Sequence, residues 1–116
     1  MTDTSTHAWI DSLVKSNDVV LFMKGTKDFP QCGFSGRVAQ ILNYLGVEYR
    51  DVNVLADANI RDGIKSYTNW PTIPQLYVKG EFVGGADIVS EMFQTGDLQT
   101  MLKEKAVAFN GTHVMA

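Results

Sequence analysis

The stretch KDFPQCGFSGRV (27–38) holds the only cysteine of the 116-residue chain, Cys32. A lone thiol closes no internal disulfide, so its chemistry turns on whether it ionises. Buried, a cysteine is a small apolar residue of little reactivity. At the N-terminus of a helix, unpaired N–H groups and the positive end of the dipole stabilise a thiolate, the form that acts as nucleophile and metal ligand. The neighbours of Cys32 favour the second case. It falls at a loop-to-helix junction, off the apolar stripe of Val38, Ile41, Leu42 and Leu45. Lys24 and Lys27 lie close in sequence and add positive potential. Gly33 removes a side chain beside the sulfur, which lets another molecule approach. Ser35 stands where a second thiol of a C-x-x-C pair would be, and a hydroxyl cannot resolve a disulfide formed at Cys32.

Other chemistries have little to stand on. His7 and His113 are isolated near the two ends, without a second ligand at a metal-binding spacing. Gly33 and Gly36 lack the Lys-Ser/Thr ending of a phosphate-binding loop. The formal charge of −3 argues against a nucleic-acid or anionic-membrane surface. The N-terminal MTDTSTHAWIDSL has no cationic leader followed by an apolar run, and nothing reaches the roughly 20 apolar residues of a membrane span. One cysteine fits a reducing compartment, so a cytoplasmic location is expected. A chain with 45% apolar and 20% charged residues reads as an ordinary globular protein. Its length predicts a single domain over 1–116 with a core that needs no staples, frayed at about 1–4 and 110–116.

The elements that must position Cys32 follow from periodicity. Trp9, Leu13 and Val14 predict a first helix, with Ser5 or Thr6 as N-cap. VVLFMKG (19–25) is a continuous apolar run ending in glycine, the pattern of a buried, central strand parallel to a neighbour. Val38, Ile41, Leu42 and Leu45 define an amphipathic helix closed by Gly46. VEYRDVNV (47–54) alternates as a second strand. A third helix runs from Asp57 to about Tyr67, weakened by Gly63. After WPTIP, QLYVKGEFVGG predicts a hairpin around Lys79-Gly80. Asp87 caps a helix carrying Ile88, Met92 and Phe93, and Gly96-Asp97 ends it and opens another with Leu98, Met101 and Leu102. The order α-β-α-β-α-β-β-α-α predicts an α/β domain: a four-stranded mixed sheet flanked by helices on both faces.

CGFS at 32–35, after a strand ending MKG and before WPTIPQLYVKGEFVGGADI, resembles the short, single-domain bacterial monothiol glutaredoxins over nearly the whole chain. The resemblance implies a thioredoxin-like fold and a glutathione site. Lys24 would meet a glutathione carboxylate, and Arg61 corresponds to the family's second carboxylate-binding position. Thr72-Ile73-Pro74 is similar to the segment that carries the family's cis-proline, which turns the Ile73 main chain toward the peptide of glutathione. Gly84-Gly85 leads to Ala86-Asp87, whose N–H groups and carboxylate would hold the γ-glutamyl end. Trp70 and Phe34 would flank the site. Some bacterial relatives have a cysteine where this chain has Ala86, so here no internal thiol can resolve a Cys32 disulfide.

The resemblance also implies a cargo. A [2Fe–2S] cluster usually takes four thiolates. In the family two chains give one cysteine each, and two bound glutathiones complete the set in a homodimer. Members with CGFS are typically carriers that hand clusters to apo iron–sulfur proteins and often pair with a BolA-like protein. The alternative is a glutathione-dependent reductase of protein–glutathione mixed disulfides. A redox-inert module with a buried Cys32 is a third reading.

Overall fold

A computed structural model describes residues 2–110, with side chains from 5 to 110. The element order is the one predicted: α1 (Thr2–Ser16), β1 (Val19–Met23), α2 (Gly33–Tyr44), β2 (Arg50–Asn53), α3 (Ala58–Thr68), β3 (Gln75–Val78), β4 (Glu81–Gly84), α4 (Ala86–Thr95) and α5 (Asp97–Glu104). The sheet order is β2-β1-β3-β4. β1 is parallel to β2 and antiparallel to β3, and β3 is antiparallel to β4.

All five residues of β1 are buried because both faces of the sheet are covered. Side chains alternate across a strand. Val19, Leu21 and Met23 therefore join α2, α4 and α5 residues such as Leu42, Val89 and Leu98 in one core cluster. Val20 and Phe22 join Ile10, Leu13, Val14 and Ile64 of α1 and α3 in the other. Burying a side chain of this size contributes roughly 1.5–3 kcal/mol, so the apolar run at 19–23 is the strand that ties the two layers together.

Local stops fall where their residue types place them. Lys79 and Gly80 both have positive φ (53° and 82°), as a two-residue hairpin turn requires. Asp57 caps α3 by accepting a hydrogen bond from the Asn59 N–H at 2.9 Å.

Several expectations change. α1 begins at Thr2, ahead of the predicted caps Ser5 and Thr6. Its core-facing residues are Ile10, Leu13 and Val14, whereas Trp9 is 41% exposed. The paired part of the second strand shrinks to Arg50–Asn53, although Val47, Tyr49 and Val54 beside it remain buried. The N-cap of α4 is Gly85 and not Asp87, which lies inside the first turn. The inward face of α4 is Ala86 and Val89, backed by Met92 and Phe93, while Ile88 faces out. Asn110 donates its N–H to the Leu45 carbonyl. The fraying expected at 1 and 111–116, and His113, lie outside the described residues.

Candidate active site

Cys32 is the N-cap of α2, with extended backbone (φ −153°, ψ 135°). It is half-buried, so its sulfur is neither sealed in the core nor fully in water. Its Sγ closes no capping hydrogen bond of ordinary length. The backbone N–H of Ser35 is nevertheless the main cause that holds the thiol below its usual pKa; partial burial opposes it. The Phe34 N–H, the Ser35 hydroxyl and the Lys24 charge add smaller lowering effects. This is the helix-terminus stabilisation the sequence predicts. Ser35 is fully buried, and its Oγ accepts the Lys24 N–H at 3.0 Å. The hydroxyl that replaces a second thiol thus fastens the end of β1 to the start of α2.

The loop that presents Cys32 is held from several sides. The Gln31 N–H donates to the Lys24 carbonyl at 2.8 Å. Gly25 has φ 93°, and a Cβ there would stand 2.5 Å from the Phe29 carbonyl oxygen, so only glycine fits. From β2, Asn53 Oδ1 accepts the Gly25 N–H at 2.9 Å and Asp51 Oδ2 accepts the Lys27 N–H at 2.8 Å. Lys27 does not serve Cys32 as predicted. Its ammonium donates to the Tyr49 carbonyl at 2.7 Å and sits 4.3 Å from the centre of the Tyr49 ring.

Cys32 opens on a cleft of about 500 Å³. Lys24, Ile73, Pro74, Ala86 and Asp87 line it with Cys32, as do Phe34, Trp70 and Thr72. Six of the seven residues proposed from sequence therefore meet in one place. The Ile73-Pro74 peptide is cis. The ladder with β1 starts at Gln75, immediately after it. Gly85 is the close neighbour of this segment: a Cβ there would lie 3.2 Å from the Pro74 carbonyl oxygen.

Arg61 is the seventh, and it stands outside the lining, with Nε 3.8 Å from the Asp62 carboxylate. One turn further along α3, Lys65 lines the cleft instead. Residues four apart share a helix face, which is the signal that could have found Lys65 from Arg61. The cleft thus has two ammonium groups, Lys24 and Lys65, and a carboxylate, Asp87, in the first turn of α4. With the Cys32 thiol, held below its usual pKa, in the same lining, it suits a short peptide that carries carboxylates, an ammonium and a sulfur. Among the described residues no three His, Cys, Asp or Glu side chains group as a metal site.

A thiol protein of the thioredoxin fold is the class that this sheet and cleft define. Residues 19–83 match the Glutaredoxin family model. The chain is 63% identical over 98 residues to an uncharacterized monothiol glutaredoxin (ycf64-like) of Synechocystis sp., covering 84% of this chain and 92% of that one. It is 57% identical over 97 residues to probable monothiol glutaredoxin 2 of Rickettsia typhi, covering 84% and 87%. The solution structure of a monomeric truncated mutant of Trypanosoma brucei 1-C-Grx1 superposes with a TM-score of 0.83 at 46% identity, over 89% of this chain and 94% of that one. A buckwheat glutaredoxin–glutathione complex superposes with a TM-score of 0.79 at 27% identity, over 90% and 94%. The chain belongs to the glutaredoxin family, in its monothiol branch.

Proposed function

We propose that the protein binds glutathione in the Cys32 cleft and, as a homodimer, carries a [2Fe–2S] cluster as cargo for apo iron–sulfur proteins. One observation carries the reading: a single half-buried thiol, held below its usual pKa, opens on a peptide-sized cleft with cationic and anionic groups, while Ser35 is sealed and hydrogen-bonded. The buckwheat relative, which is a glutathione complex, supports the ligand. Lys24 and Lys65 bind its carboxylates, with Arg61 within one turn as a longer-range cation. The Ile73 main chain pairs with its peptide, and the N–H groups at Ala86 and the Asp87 carboxylate hold the γ-glutamyl end. Four thiolates are then assembled from Cys32 of two chains and from two glutathiones. A BolA-like protein can take the place of the second chain. A protein whose only thiol must stay reduced belongs in the cytoplasm.

The same site supports a second reading as a glutathione-dependent oxidoreductase. The Cys32 thiolate attacks the glutathione sulfur of a mixed disulfide and releases the protein thiolate. A second glutathione thiolate then attacks the Cys32–glutathione disulfide, giving oxidised glutathione and free Cys32. No step uses a second protein thiol, in keeping with the buried Ser35.

Anaerobic reconstitution with iron, sulfide and glutathione separates the two. The carrier turns red-brown and shows a native mass of two chains, two glutathiones and one cluster; Cys32→Ser stays colourless. A colourless monomer that rapidly reduces glutathionylated substrates establishes the oxidoreductase instead.

A further inference from the structure

Gln75 is a fully buried polar residue that neither the strand pattern nor the thiol chemistry explains. It is the first residue of β3, and its side chain shares a sheet face with Tyr77. Its Nε2 donates to two carbonyls, Trp70 O at 3.1 Å and Thr72 O at 3.2 Å. Two carbonyl acceptors fix that end of the amide as the NH₂ group. Its Oε1 accepts from the Tyr77 hydroxyl at 3.2 Å and lies 3.1 Å from the Thr68 hydroxyl.

The two carbonyls flank Pro71 in a segment whose ends are held by the Trp70 N–H bond to the Lys65 carbonyl and by buried Ile73. Between them the Gln75 amide bridges the main chain. Pro71 and Pro74 have no N–H, and the ladder with β1 does not begin until Gln75. The same segment forms one wall of the cleft, through Trp70, Thr72, Ile73 and Pro74. We infer that Gln75 is a positioning residue for glutathione: its two N–H bonds behind the wall hold the Thr72–Pro74 main chain where the peptide must pair with it. The inference rests on the glutathione reading of the cleft. Gln75 touches neither Cys32 nor the ligand. It acts on binding and leaves the thiolate alone.

Gln75→Leu removes both donors at similar volume. The Kd for reduced glutathione, read by NMR titration, should rise about tenfold or more, the cost of leaving carbonyls without partners. The Thr72 and Ile73 amides should exchange with water at least about tenfold faster, while the pH midpoint of Cys32 alkylation stays in place. Ile64→Val, buried on the same sheet face, is the control that lowers stability without moving the Kd. An unchanged Kd together with unchanged amide exchange in Gln75→Leu overturns the inference. If that variant does not fold, the wild type decides. Its Gln75 carboxamide protons should exchange far more slowly than those of exposed Gln40, and equal rates overturn the inference. A wild type that binds no glutathione refutes the reading of the cleft, while the exchange comparison still decides whether Gln75 holds the wall.

Discussion

Several small effects hold the Cys32 thiol below its usual pKa, and their order predicts how variants divide. Interactions with Ser35, through its N–H and hydroxyl, outrank the Lys24 charge in lowering the thiol pKa. The alkylation rate of Cys32 should therefore rise with pH through a midpoint below that of an ordinary thiol. Lys24→Ala should move that midpoint upward only slightly, whereas it should weaken glutathione binding clearly. The linkage has a definite sign. The folded pKa is depressed, so the thiolate's contribution to stability is full above the ordinary thiol pKa and fades as pH falls through the folded value. Ser35→Ala does more, because it also leaves the Lys24 N–H without its acceptor in the core. A loss of about 1–3 kcal/mol in denaturant unfolding is expected, with an upward shift of the alkylation midpoint. A midpoint that does not move in Ser35→Ala would show that the first-turn backbone alone sets it. The place of Cys32 at the start of a helix was legible from its neighbours in sequence. The second role of Ser35 was not, because a serine three residues into a motif looks the same whether it is a solvated hydroxyl or a buried bolt.

The long-range contacts between elements were the hardest to read from sequence, since they depend on who meets whom across the fold. Asp51 and Asn53 alternate with buried Val52 and look like the solvated side of an edge strand; in the folded chain they hold the cysteine loop. Asp51→Ala and Asn53→Ala should each cost roughly 1–3 kcal/mol and speed exchange of the Lys27 and Gly25 amides respectively. Gly63 is the second case. Its presence in α3 reads as a weakness, and alanine is intrinsically better in a helix by about 1 kcal/mol. But a Cβ at 63 would lie 2.5 Å from Thr6 Cγ2 of α1. Overpacking typically costs about 1–3 kcal/mol, so the gain in propensity is outweighed. Gly63→Ala should lower the melting temperature; an increase would mean that α1 gives way at no cost. Trp9 taught the same lesson in reverse. Hydrophobicity alone placed it inside, while the stripe of Ile10, Leu13 and Val14 already filled that face.

For the molecule as a whole, the two-sided strand at 19–23 made the layer order readable, because a run buried on both faces demands helices on both. The described residues of the chain group no three metal-binding side chains, and among its residues only Cys32 is a thiol. On the proposed reading, half of the cluster's ligands are free tripeptides held by a cleft that is open to solvent. Cluster retention must then depend on glutathione concentration and on the association of two chains. In the reconstituted protein, gel filtration into glutathione-free buffer should bleach the visible absorbance and return the monomer. Restored glutathione should slow the bleaching in proportion to cleft occupancy. Lys65→Ala, which removes a cleft cation without touching the sulfur, should shift that dependence to higher glutathione at an unchanged alkylation rate of Cys32. Colour that persists in glutathione-free buffer at high dilution would mean that protein side chains alone hold the metal, and the two-chain, two-tripeptide assembly would be wrong.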